Sequence, residues 1–174
     1  MNTAVPLILM VICLFQTTVA TANVPANCLE FNLYEPDDIL DGPYAEVNVK
    51  SPPDVHRFRT VIREGSEGPP DFAGHLRVVS WGCGSNCHVF AFVDKKTGNV
   101  YIAPTVAALG AAYKLDSRLF VIDPPEMLSD NGAEYYATMS FIWDESIHSL
   151  SSVPGCDGYA QPNAPMNVPG ASPR

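Results

Sequence analysis

The sequence predicts an α+β fold: a mainly antiparallel β-sheet, a meander of about five to seven strands, with one amphipathic helix and two disulfide staples. Three observations predict it. Apolar residues follow a helical period only at Val55, Phe58 and Ile62, and a period of two almost everywhere after Gly68-Pro69-Pro70. The β-like runs are joined mostly by short turn-forming stretches, which pair neighbouring strands antiparallel. Four cysteines remain once an N-terminal leader is set aside.

The leader comes first. Residues 1 to 22 carry no charged side chain, run apolar from Ala4 to Phe15 and close on Ala20-Thr21-Ala22, the form of a secretory signal peptide cut before Asn23. Its apolar core is shorter than the roughly 18 to 20 residues of a membrane span, and no later stretch reaches that length. An uncleaved anchor is the alternative, because the n-region lacks Lys or Arg. Neither Cys13 nor Cys28 has the small-residue, apolar context of a lipid-modified cysteine. The expectation is therefore one periplasmic or secreted domain over residues 23 to 156, without a membrane span after signal cleavage. Residues 157 to 174, rich in Pro, Asn, Ala and Gly, are expected to be a disordered tail.

Within the domain, residues 23 to 43 read as irregular, with an acidic run at Glu35-Pro36-Asp37-Asp38. Alternation predicts a short strand at Tyr44 to Val49. The helix follows: Ser51 caps it, Pro52 and Pro53 suit its first turn, Asp54 complements its dipole and Gly65 ends it. Arg57, Arg59 and Arg63 fall away from the apolar stripe and read as a solvated face. Strands are expected at Leu76 to Trp81, Val89 to Asp94, Asn99 to Ala103, Arg118 to Asp123, Tyr135 to Trp143 and Ile147 to Val153. Asp94-Lys95-Lys96-Thr97-Gly98 reads as a hairpin loop with a left-handed glycine, and Asp144-Glu145-Ser146 as a second reversal. Residues 104 to 117 and 124 to 134 read as longer loops. Val89-Phe90-Ala91-Phe92-Val93 is apolar on both sides, so the helix is expected to cover one face of the sheet.

Cys28, Cys83, Cys87 and Cys156 allow three pairings in an exported chain. Extended backbone would hold residues 83 and 87 about 13 Å apart, beyond the roughly 4.4 to 6.8 Å of a disulfide. Gly82, Gly84, Ser85 and Asn86 permit the reversal that brings them together, which leaves Cys28 to pair with Cys156. A net charge of −9 argues against nucleic acid or an anionic membrane as partner and allows a cationic or envelope protein.

The runs "FRTVIREGSEGPPDFAGHLRVVSWGCGSNC", "VDKKTGNVY" and "KLDSRLFVI" resemble a family of small exported bacterial proteins. Its shared features are an arginine-bearing helix, an Asn/Asp-Phe-Ala-Gly-His step, a Trp-Gly-Cys-Gly turn with a second cysteine, and an Asp-x-x-Thr-Gly hairpin. The match covers about residues 55 to 123, with Leu76 and His88 standing where the family favours an aromatic and a glutamine. The resemblance implies export and this type of fold, and carries no assigned activity.

Candidate chemistry reduces to a few side chains. A thiol oxidoreductase wants Cys-x-x-Cys at a helix N-terminus, whereas here the spacing is longer and the flanks are strands. His75, Cys83, Cys87 and His88 are zinc-ligand types, but adjacent strand residues such as Cys87 and His88 point to opposite faces. Asp37, Asp38 and Asp41 lack the ligand register of a calcium loop. No hydrolase elbow or metalloprotease helix is present in the sequence. Accordingly no catalytic residue, cofactor or metal site is assigned. Cys28, Cys83, Cys87 and Cys156 are read as disulfides, His75, Trp81 and His88 as functional or turn-supporting, and Trp81 as core packed on the bridge. The expected function is a non-catalytic binding protein of the inhibitor or immunity type. The alternatives are a small hydrolase with its site on loops 104 to 117 and 124 to 134, and a structural accessory domain of the envelope.

Overall fold

The computed structural model describes residues 26–50, 52–133, 136–156 and 159–160. The predicted leader, the Ser51 cap, Tyr135 and the tail beyond residue 160 lie outside the described residues. Strands β1 (Leu76–Gly84), β2 (Cys87–Asp94) and β3 (Val100–Ala107) form one antiparallel sheet in sequence order. A second sheet follows in the same manner from β4 (Ala111–Tyr113), β5 (Leu119–Ile122), β6 (Ala137–Asp144) and β7 (Ser149–Ser152). Strand β8 (Tyr159–Ala160), within the stretch expected to be a disordered tail, pairs with β6.

The single meander is thus divided into two. The division falls at residues 108 to 110, where the Asp123 carboxylate accepts the N–H groups of Ala108, Leu109 and Gly110 at 2.9, 2.7 and 3.2 Å. These bonds turn the chain off β3 and back along β5. Two features that the sequence left as loop flank this turn: β4 pairs with β5, and helix α3 (Pro125–Asp130) buries Leu128. Period alone does not show elements of three and six residues.

Why the sheets stack is written in the alternation of their central strands. Phe90 and Phe92 of β2 join Phe120 and Ile122 of β5 and Trp143 of β6 in one core. Phe92 meets Phe120 edge-on at 5.3 Å and Trp143 at 5.2 Å, close to the spacings aromatic pairs favour. The other face of β2, Ala91 and Val93, packs on Val55 and Ile62 from the helices. The other face of β5, Leu119 and Val121, packs on Val153 and the buried cysteines Cys28 and Cys156. The helical cover expected over a two-sided strand is therefore present.

That cover is two short helices rather than one. Helix α1 (Pro53–Arg57) and helix α2 (Arg59–Gly65) are separated at Phe58, whose backbone lies at φ −102° and ψ 19°. Its ring packs against Trp81 at 4.9 Å. Arg57, Arg59 and Arg63 are exposed, in keeping with a solvated face. The expected strand at 44 to 49 does not form. Its backbone instead bonds to the hairpin loop, with Ala45 N–H donating to Lys95 O at 2.9 Å and Asn48 N–H to Gly98 O at 2.8 Å. A loop offers two bonds there, where a sheet edge would offer a ladder.

Both expected disulfides are present. Cys28–Cys156, with Cα atoms 5.6 Å apart, links positions separated by 128 residues; Cys83–Cys87, at 5.1 Å, closes a span of 4. By loop-closure entropy the long bridge contributes about 5 kcal/mol and the short one about 2 kcal/mol. The double variant Cys28→Ser/Cys156→Ser should therefore lower the thermal midpoint more than Cys83→Ser/Cys87→Ser. An equal or reversed order in thermal unfolding would show that the hairpin tip holds more than its own loop.

Candidate binding cleft

The Asp-Phe-Ala-Gly-His step builds one side of a polar cleft. Phe72 and Leu76 exchange backbone hydrogen bonds at 3.0 and 2.9 Å, which forces the three residues between them into a tight protrusion. Ala73 and Gly74 both turn left-handed, at φ 46° and 77°. Such a conformation is unfavourable for alanine and is maintained here by bonds from outside the turn. Ala73 N–H donates to Ser117 O at 3.1 Å, and Gly74 N–H to Leu115 O at 2.7 Å. Gly74 O in turn accepts from Leu40 N–H at 2.8 Å. A Cβ on Gly74 would lie far inside van der Waals contact of the Asp38 carbonyl oxygen. Only glycine lets the acidic segment 36 to 40 lie so close.

That segment forms one wall of a cleft of about 520 Å³ with His75 on its floor. His75 is 6 % exposed, and its Nε2 is 3.6 Å from Glu145 Oε1, an ion-pair separation too long for a hydrogen bond. The lining brings together Asp37, Asp38, Asp94, Asp144 and Glu145 against two cations, Lys96 and Arg118. Three of these carboxylates have work to do within the protein. Asp94 accepts from Lys96 N–H at 2.8 Å and from Thr97 Oγ1 at 2.6 Å, shaping the hairpin loop. Asp38 accepts from Lys96 Nζ at 2.9 Å, and this lysine holds its carboxyl below the ordinary carboxylate range. Asp144 accepts from the Ser146 hydroxyl and N–H at 2.6 and 2.8 Å, which likewise hold its carboxyl low. Asp37 and Glu145 remain exposed, with no cationic Lys or Arg partner among the described residues. Among the described residues no three His, Cys, Asp or Glu groups converge closely enough to share a metal ion.

The other residues singled out by sequence lie elsewhere. In the register of β1 on β2, Leu76 opposes Asp94 at the base of the hairpin and Gly82 opposes His88 near its tip. His75 and His88 are thus separated by most of a strand, roughly 20 Å at strand rise. Cys83 is exposed at a bulge between Gly82 and Gly84, and Asn86 turns left-handed at φ 50° to close the loop. Asn86 Nδ2 donates to Tyr136 Oη at 2.9 Å, tying this tip to the second sheet. Trp81 packs with the helical layer through Phe58, where the sequence suggested the bridge as its neighbour.

The stretches 104 to 117 and 124 to 134 contain no histidine or cysteine. Their serine hydroxyls and the adjacent Asp123 serve the backbone: Ser117 Oγ donates to Phe31 O at 2.7 Å and Ser129 Oγ to Glu126 O at 3.0 Å. The acidic cleft was not visible in sequence, because its carboxylates come from three stretches far apart in the chain, at 37 to 38, 94 and 144 to 145. Its traces there were the net charge of −9 and an Asp beside each reversal. Comparison with known proteins adds nothing to this geometry: no family model, no curated protein and no solved structure matches the chain.

The cleft wall depends on Gly74. Gly74→Ala should destabilise the protein by about 1–3 kcal/mol in urea unfolding, through clash and strain together. Gly82→Ala, which meets no atom nearer than 4.0 Å and needs no left-handed backbone, should cost less than Gly74→Ala. Equal losses would mean that segment 36 to 40 does not rest on Gly74.

Proposed function

We propose that this chain is an exported, non-catalytic binding protein of the inhibitor or immunity type. Its cleft beside His75 takes a positively charged group of a partner macromolecule. The observation that carries this reading is the excess of carboxylates in a partly enclosed cleft, with Asp37 and Glu145 lacking a Lys or Arg partner among the described residues. The signal-like leader and the net charge of −9 support it. A single exposed ion pair contributes only about 0.2–1 kcal/mol, so useful affinity requires several carboxylates around one cationic segment. Asp38 and Asp144 fit that need: with carboxyls held low by Lys96 and Ser146, they stay ionised to lower pH than an ordinary aspartate.

The test is calorimetric titration of the mature protein with a tetra-arginine peptide, at low salt and at about 0.15 M salt. Binding should be measurable at low salt and weaken as salt rises. Asp37→Lys/Glu145→Lys should weaken it at least about tenfold. Glu126→Lys/Asp130→Lys on α3, which makes the same change in net charge away from the cleft, should leave it within about twofold. Equal loss in both variants, or no binding of the wild-type protein at low salt, overturns the reading.

A further inference from the structure

Lys95 and Lys96 are consecutive in the hairpin loop, yet they face different surroundings. Lys96 is exposed and pairs with Asp38 in the acidic cleft. Lys95 is 6 % exposed, and its Nζ donates to Ser66 O at 2.9 Å. Among the described residues no carboxylate lies within ion-pair distance of that ammonium. A buried charge without a counter-charge is unfavourable, since one carbonyl replaces only part of its lost hydration. Burial, reinforced by the positive charge of Arg77, accordingly holds this ammonium below the usual lysine range.

Over Lys95 the protein forms a second cleft, of about 810 Å³. One wall is the extended segment 44 to 50, bonded to the loop through Lys95 O and Gly98 O. Gly98, left-handed at φ 79°, is a second obligatory glycine, because a Cβ there would collide with the Glu46 carbonyl oxygen. Arg63 and Ser66 line the opposite side. Of the charged side chains in the lining, Lys50 and Arg63 add to Lys95, while Glu46 and Glu67 oppose it from exposed positions. Tyr44, whose ring centroid is 5.5 Å from the Lys95 Nζ, adds apolar surface together with Val47 and Val49.

We propose that this cleft binds a small organic carboxylate with an apolar or aromatic body, and that Lys95 Nζ receives the carboxylate. An ammonium has three N–H donors, and Ser66 O takes one. Two remain for the two oxygens of a ligand. Tyr44, Val47 and Val49 take the body. This site goes beyond the acidic cleft: it selects the opposite charge and lies on the other flank of the same hairpin loop, so either can fail without the other.

The chain has four lysines, Lys50, Lys95, Lys96 and Lys114, which makes their Cε resonances separable in lysine-labelled protein. The probes are benzoate, which supplies both carboxylate and apolar body, and inorganic phosphate, which supplies charge alone. Benzoate should shift the Lys95 resonance saturably and raise its titration midpoint, since a bound anion favours the charged form. Phosphate should bind at least about tenfold more weakly. Lys95→Met should abolish saturable benzoate binding, Lys95→Arg should retain it within about tenfold, and Lys96→Met should leave it unchanged. The proposal is overturned if the Lys95 resonance of the wild-type protein shows no saturable response to benzoate, a result independent of whether any variant folds. It is also overturned if Lys95→Met binds benzoate as the wild type does, or if phosphate binds as tightly as benzoate.

Discussion

Strand β2 is buried on both faces, and the layering of the whole protein answers that constraint. Phe90 and Phe92 need one apolar neighbour, and Ala91 and Val93 need another on the opposite side. Burying a large apolar side chain contributes about 1.5–3 kcal/mol, so neither face can be left to water in a domain this small. The second sheet satisfies the first face and the helices the second. Strand β5 then repeats the situation one layer further out. Phe120 and Ile122 close on β2, while Leu119 and Val121 require the N-terminal segment with Cys28 and the return of the chain to Cys156. The long disulfide therefore lies inside a packed layer, and its covalent constraint and its apolar burial act on the same residues.

Irregular backbone does in this protein what further strands do in others. Segments 36 to 40 and 44 to 50 lie against turns rather than against a sheet edge, and each is admitted by one left-handed glycine, Gly74 or Gly98. The contacts that admit them are backbone to backbone, supplemented by the Asp38–Lys96 pair and by Val49 in the core beneath the helices. Other side chains of both segments line the clefts. The hairpin loop 94 to 98 lies between the two: Asp94 and Lys96 face the acidic cleft, and Lys95 the other. Alternation of neighbouring side chains around one turn is enough to separate surroundings of opposite charge preference.

Much of this was legible residue by residue. The doubly apolar β2, the left-handed Gly98, the reversal between Cys83 and Cys87 and the exposed arginines of α1 and α2 each follow from a local rule. The helix break at Phe58 was not legible, because Val55, Phe58 and Ile62 keep a helical stripe through it, while the ring of Phe58 packs against Trp81, more than 20 residues away. Nor was the division of one meander into two sheets. It rests on Asp123 gathering three N–H groups from 13 to 15 residues upstream, a contact that propensity in either stretch does not encode. Lys95 read simply as part of a hairpin loop, and the groups that meet its ammonium, Ser66 and Tyr44, are far away in the chain.

By itself the sequence determined the α+β class, most of the longer strands, the disulfide pairing and the chemical character of each turn, because these depend on period, spacing and backbone preference among near neighbours. Only the tertiary structure decided which acids share a cleft, which of two adjacent lysines is buried and which histidine faces carboxylates. Those outcomes depend on how distant turns meet once the doubly buried strands are covered, and electrostatic environment is set by that meeting rather than by order along the chain.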